Sequence, residues 1–107
     1  MDAALKSKIQ ATVDGHPIVL FMKGTKTFPQ CGFSAQVVEV LKRLDAEFHD
    51  VNVLQDPEIR QGIKDFANWP TIPQLYVNGK FVGGCDIVTE MYQTGELATV
   101  IAGGAES

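Results

Sequence analysis

A cysteine and a serine three positions apart, in Cys31-Gly32-Phe33-Ser34, are the residues of this 107-residue chain best placed to do chemistry. The spacing is that of a redox Cys-x-x-Cys pair whose second thiol has become a hydroxyl. A complete pair closes its own disulfide; this one cannot. Cys31 must find its partner elsewhere, in a second thiol of the chain, a small-molecule thiol, another protein or a metal. The working species is the thiolate, and a free cysteine titrates near 8.5. From Phe33 onward Val37, Val40/Leu41 and Leu44 repeat at helical spacing, so Cys31 stands at a strand-loop-helix junction, on the helix N-terminus. Unpaired backbone N–H groups and the positive dipole end lie there. Lys23 ends the preceding strand and adds an ammonium. Together they predict a lowered Cys31 pKa. The competing reading, a buried inert thiol, fits poorly with the polar loop from Lys23 to Gln30. Ser34, in the first helical turn, is suited to a backbone hydrogen bond.

Other residues could serve a ligand. Cys85 reads either as a resolving thiol or binding-site wall, or as a packed inert thiol. Arg60 and Lys64 are four apart on one helical face; they read as solvated surface or, beside Trp69-Pro70, as a holder for a carboxylate, for which Arg is well suited. Ile72-Pro73 is a candidate cis peptide whose bend would offer the Ile72 N–H and C=O to an extended ligand. Gly84-Cys85-Asp86 at a helix start would offer N–H groups to a second carboxylate, and Asp86 would accept from an amine. These features describe a small, extended, zwitterionic peptide that carries a thiol. His16 and His49 have no metal-ligand spacing to a cysteine and read as structural.

The elements that must position these groups follow from periodicity. Leu5, Ile9 and Val13 form one stripe of a helix over residues 2–14, with Asp2 as its cap and Gly15 as a left-handed stop. Ile18 to Met22 is an unbroken apolar run, a strand buried on both faces. Phe48 to Val53 is a second strand. Asp56-Pro57 opens a helix with a capping acid and a proline at its first position, and Ile59, Ile63 and Phe66 are its buried stripe. Pro70 and Pro73 keep the next segment out of helix. Gln74 to Val77 and Lys80 to Val82 form a hairpin around Asn78-Gly79. Asp86 is placed to cap a final helix carrying Ile87, Val88 and Met91, interrupted near Gly95; Leu97, Val100 and Ile101 continue it. The order α-β-α-β-α-β-β-α requires a parallel crossover followed by an antiparallel hairpin. It predicts an α/β thioredoxin-like fold: one four-stranded mixed sheet flanked by helices on both faces.

Bulk composition sets the limits. The chain reads as one domain over 1–107, with a frayed tail over about 103–107; 45% hydrophobic residues supply one modest core. A net charge of −4 argues against a nucleic-acid binder that neutralises phosphate. No apolar run nears the ~18 residues of a membrane span. Two cysteines are too few for a disulfide scaffold, which points to a soluble protein in a reducing compartment. The expected location is cytoplasmic, or a mitochondrial or plastid matrix where a targeting peptide has been removed.

Over Leu5 to Ile101 the chain resembles the monothiol glutaredoxins of the Cys-Gly-Phe-Ser class. The motifs that carry the resemblance are Phe21-Met22-Lys23-Gly24-Thr25, Pro29-Gln30-Cys31-Gly32-Phe33-Ser34, Trp69-Pro70-Thr71-Ile72-Pro73-Gln74 and Gly83-Gly84-Cys85-Asp86. The resemblance implies a thioredoxin fold and a glutathione site. In it Lys23 and Arg60 hold the glycine carboxylate, Ile72 pairs with the cysteinyl backbone, and Cys85 and Asp86 hold the γ-glutamyl end. Lys64 and Trp69 line the site less directly. It also implies a [2Fe-2S] cluster shared by a homodimer, with Cys31 of each protomer and two glutathiones as ligands, and a monomer when apo. The implied role is cluster transfer to apo iron-sulfur acceptor proteins, with BolA-like proteins as further partners. The rival is a glutathione-dependent oxidoreductase that deglutathionylates protein thiols. The chain departs from many relatives in lacking a proline soon after Gly24-Thr25; Lys26 stands there instead and is expected to add charge near the site.

Overall fold

The computed structural model describes residues 1–103. Helix α1 spans Ala3–Asp14, strand β1 Ile18–Met22, helix α2 Gly32–Arg43, strand β2 His49–Asn52, helix α3 Pro57–Ala67, strands β3 Gln74–Val77 and β4 Lys80–Gly83, and helices α4 Cys85–Thr94 and α5 Glu96–Ile101. The expected order is present. A 3₁₀ turn over Val53–Gln55 ends the second strand one residue early, because Asn52 caps it by accepting from the Leu54 N–H at 3.0 Å. Most of the tail expected to fray, 104–107, lies outside the described residues.

Local chemistry sets most boundaries. The Asp2 carboxylate accepts from the Leu5 N–H at 2.7 Å, and Asp56 from Glu58 and Ile59 at 3.1 Å each, caps worth about 1 kcal/mol apiece. Gly15 departs from expectation. It stays right-handed, with φ −79°, and donates to the carbonyls of Ala11 and Thr12. A Cβ there would sit 2.9 Å from the Ala11 oxygen, so close backbone approach, not a left-handed turn, requires the glycine. At the hairpin, Asn78 and Gly79 both have positive φ, 52° and 81°, as a tight turn between twisted strands demands.

The sheet runs β2-β1-β3-β4. β1 pairs parallel to β2 and antiparallel to β3, and β3 antiparallel to β4. All five residues of β1 are buried, and alternation divides them between the two faces. Ile18, Leu20 and Met22 pack with Val37, Leu41, Val88 and Leu97 from α2, α4 and α5. Val19 and Phe21 pack with Ile9, Val13, Ile59 and Ile63 from α1 and α3. The apolar content expected to make one core is thus split by the sheet into two layers. Among the described residues no helix is long and apolar enough to cross a membrane.

His16 and His49 do serve structure. Their rings stack at 4.0 Å, 6° from parallel, joining the α1–β1 turn to the start of β2. Burial, then the neighbouring His16, hold the His49 pKa below its ordinary value. The unfolded chain therefore takes up this proton first as pH falls, so the stack's contribution is complete above about 6.5 and declines below it. The expected result is a urea midpoint that drops between pH 7.5 and 5.5 in the wild type and drops less in His49→Gln. Equal drops would rule the stack out as the cause.

Candidate functional site

β1 delivers Lys23 to the mouth of a loop that the rest of the chain holds tightly. Gly24 takes φ +92°, and a Cβ on it would lie 2.5 Å from the Phe28 oxygen and 2.6 Å from the Gln30 nitrogen. The loop closes on itself through Thr25 N–H to the Phe28 carbonyl, Phe28 N–H to Thr25 Oγ1 and Gln30 N–H to the Lys23 carbonyl. It is also pinned to β2: Gly24 N–H donates to Asn52 Oδ1 at 3.0 Å and Lys26 N–H to Asp50 at 2.8 Å. Lys26 does not add its charge to the site as expected. Its ammonium donates to the Phe48 carbonyl and lies over the Phe48 ring, 4.6 Å from the centroid. These contacts fix the loop without a proline after Gly24-Thr25.

Cys31 follows as the N-cap of α2, in extended conformation and partly exposed. No N–H makes a capping bond of ordinary geometry to it. The backbone N–H of Ser34 nevertheless does most to lower the thiol pKa; partial burial opposes it, while the Phe33 N–H and the Lys23 ammonium assist. Ser34 itself is fully buried and its Oγ accepts from the Lys23 N–H at 3.1 Å. The hydroxyl in the second motif position thus ties the Cys31 helix to the strand end that carries Lys23. Alkylation of Cys31 is expected to have its pH midpoint below ~8.5. Ser34→Ala should raise that midpoint and, by orphaning a part-buried N–H, cost ~1–3 kcal/mol in urea unfolding. A wild-type profile that rises only above ~8.5 would contradict the lowered pKa, and unfolding of Ser34→Ala at the wild-type urea midpoint would contradict the tether.

Beside α2 lies a cleft of about 390 Å³, walled by Phe33, Trp69, Thr71, Ile72, Cys85 and Asp86 among others. The Ile72-Pro73 peptide is cis. Ile72 is buried, and among the described residues neither its N–H nor its C=O has a hydrogen-bond partner within the chain. The expected cap at Asp86 is displaced: α4 begins at Cys85 with Gly84 as N-cap and no capping side chain, so Asp86 falls in the first turn with its carboxylate exposed. The helix start fits there because Gly84 has no Cβ; one would meet Trp69 Nε1 at 3.2 Å. That indole nitrogen is buried and unpartnered. Burial pushes the Cys85 thiol pKa up, opposed by a hydrogen bond with Thr89 and assisted by the charges of Asp86 and Cys31, so Cys85 ionises less readily than Cys31, whose pKa is lowered.

The sequence-derived residues therefore fall into two sets. Ile72, Cys85 and Asp86 share the cleft. Cys31, Lys23 and Arg60 are not among its walls, although Lys23 and Cys85 both act electrostatically with Cys31. Arg60 is exposed on α3; among the described residues Lys23, Arg60 and Lys64 have no carboxylate within salt-bridge distance.

Residues 18–82 match the sequence profile of the Glutaredoxin family. The chain belongs to the glutaredoxin family. An uncharacterized monothiol glutaredoxin of Synechocystis sp. is 54% identical to it over 94% of both chains, which places this glutaredoxin in the monothiol branch. The solution structure of reduced poplar apo GrxS14 matches with a TM-score of 0.83 at 51% identity, covering 96% of this glutaredoxin and 94% of that chain. A buckwheat glutaredoxin-glutathione complex matches with a TM-score of 0.83 at 25% identity, covering 95% and 91%. The thioredoxin-like sheet and helix arrangement is the glutaredoxin fold.

Sequence reasoning missed the residues that hold this glutaredoxin's site from behind. Asn52 and Asp50 pin the loop, and fully buried Gln74 bonds the carbonyls of Trp69 and Thr71. The one available signal was Gln74 itself, a polar residue opening an otherwise apolar central strand.

Proposed function

We propose that this glutaredoxin binds glutathione and that two protomers, each with bound glutathione, carry a bridging [2Fe-2S] cluster for iron-sulfur cluster assembly and transfer. The observation that carries the reading is the cleft wall at Ile72: a buried residue whose backbone N–H and C=O are free, beside Cys85 and Asp86. An extended cysteinyl peptide pairs with those two groups as an added strand does. The free N–H groups at the start of α4 suit its γ-glutamyl carboxylate and Asp86 its amine. Lys23 and Arg60, without carboxylate partners, suit its glycine carboxylate, with Lys64 and Trp69 at the margin. The buckwheat relative is a complex with the same tripeptide.

The donor set fits the cluster. Thiolates are the usual ligands of iron-sulfur clusters. Each chain offers one low-pKa thiol, Cys31, and among the described residues no group of three or more His, Cys, Asp or Glu converges as a metal site. The remaining ligands must be borrowed, which makes the cargo releasable to acceptor proteins and the dimer dependent on it; the apo chain is then a monomer. Phe28 and Phe33, 71% and 62% exposed on either side of Cys31, give acceptors or BolA-like proteins an apolar surface. The two free thiols suit a reducing compartment, cytoplasmic in this reading. Anaerobic reconstitution with iron, sulfide and glutathione is the test. The expected product has visible cluster absorbance and twice the protomer mass, and omitting glutathione yields neither. A cluster formed equally well without glutathione would overturn the shared-ligand arrangement.

The lowered pKa and partial exposure of Cys31 also favour a second reading, protein deglutathionylation. The Cys31 thiolate attacks the glutathionyl sulfur and expels the protein thiolate. A second glutathione thiolate then attacks the Cys31 mixed disulfide, releasing glutathione disulfide and restoring the Cys31 thiolate. Rapid, saturable turnover on a glutathionylated protein would favour it.

A further inference from the structure

We infer that Gln74, oriented by Tyr76, is a positioning residue that aims the Ile72 wall of the cleft at its peptide ligand; this rests on the glutathione reading above. The segment from Trp69 to Pro73 is neither helix nor strand. It is fixed at its start by Trp69 N–H to the Lys64 carbonyl at 2.9 Å, and it ends where β3 begins. Between those points the carbonyls that flank Pro70 and Ile72 would be loose. The Gln74 carboxamide nitrogen takes both, donating to the Trp69 oxygen at 3.2 Å and to the Thr71 oxygen at 3.1 Å. Only the nitrogen end of the amide can donate to two carbonyls, so its orientation decides whether the segment is held.

Tyr76 sets that orientation. Its O–H donates to Gln74 Oε1 at 3.0 Å, two residues along β3 and on the same face. Gln74 is fully buried and Tyr76 is 2% exposed, so neither can exchange its partner for water. The Tyr76 ring is wedged among Phe21, Phe66 and Phe81, and Phe81 also packs on Trp69. A fully satisfied polar network inside an apolar layer is rigid, since any other arrangement leaves a buried polar group unpaired. Here the network ends on the carbonyl directly before Ile72, whose free N–H and C=O face no partner in the chain. Neither Gln74 nor Tyr76 lines the cleft.

The test measures glutathione affinity of the apo chain by calorimetry, in wild type, Gln74→Glu and Tyr76→Phe, with Val100→Ala as a destabilised control on the opposite face of the sheet. Trp69 is the single tryptophan, so its indole N–H resonance reports the segment directly. Loss of one buried hydrogen bond predicts about five-fold weaker binding in Tyr76→Phe, and loss of both amide donors at least about twenty-fold in Gln74→Glu, each with a displaced indole resonance. Val100→Ala should bind as wild type, and the Cys31 alkylation midpoint should stay put in all three. If Gln74→Glu does not fold, Tyr76→Phe decides alone. Wild-type affinity in folded variants would overturn the positioning role while leaving glutathione binding intact. Absence of saturable binding in the wild type would overturn the glutathione reading, and this inference with it.

Discussion

Under the proposed function, Cys31→Ser is expected to lose cluster assembly and glutathione-dependent thiol chemistry altogether while the fold gains slightly in stability. A serine hydroxyl does not ionise near neutral pH, so the N–H groups of Ser34 and Phe33 and the Lys23 ammonium, which stabilise a thiolate, have no anion to act on. The loss should exceed about 10³-fold in alkylation rate and should remove the visible absorbance of the reconstituted dimer. Stability moves the other way for a separate reason. Cys31 is the N-cap of α2, with φ −152° and ψ 136°, and makes no capping bond. Serine is among the best caps at such a position, so the variant should gain up to ~1 kcal/mol in urea unfolding. Activity and stability are thus expected to part company at one atom. A Cys31→Ser protein that still assembled a glutathione-dependent cluster would remove Cys31 from the ligand set.

Gly24→Ala should be the most damaging single methyl in the site. The position has φ +92°, a conformation that costs an L-residue ~1–3 kcal/mol. The added Cβ would also stand 2.5 Å from the Phe28 oxygen and 2.6 Å from the Gln30 nitrogen, both backbone atoms of the same closed loop. Neither can yield as a side-chain tip would, and opening the loop breaks the Gln30–Lys23 and Gly24–Asn52 bonds that seat Cys31. The two effects together predict ~3–5 kcal/mol of destabilisation, a large part of the ~5–15 kcal/mol that holds a domain of this size. Urea denaturation measures it. The Cys31 alkylation midpoint should rise in parallel, because Lys23 and the α2 N-terminus no longer meet the thiol at fixed places. A loss below 1 kcal/mol with an unchanged midpoint would show that the loop is softer than its contacts imply.

The sequence alone determined the element order, the strand buried on both faces, the hairpin at Asn78-Gly79 and the place of Cys31 at a helix start. Each follows from short-range rules: the 3.6 and 2.0 periods, proline and glycine backbone limits, and capping carboxylates. It also made Lys23, Ile72, Cys85 and Asp86 legible as candidates, because they stand at element ends where backbone groups and charges are unpaired, and Arg60 because it shares a helical face with Lys64 beside Trp69-Pro70. Where short-range rules compete, it misplaced detail. Gly15 reads as a left-handed stop but serves close approach, and Asp86 reads as a cap when Gly84, which lets the helix start approach Trp69, takes that place. Tertiary structure alone decided the rest. Lys26 turns to β2 because the Phe48 carbonyl and ring lie within its reach, residues 22 positions away in the chain. The Cys85 thiol pKa is raised because packing desolvates it, and Ser34 is a tether because burial puts it against the end of β1. Distance between residues far apart in sequence, and the burial that gives each contact its strength, are properties of the packed sheet and helices; no local pattern encodes them.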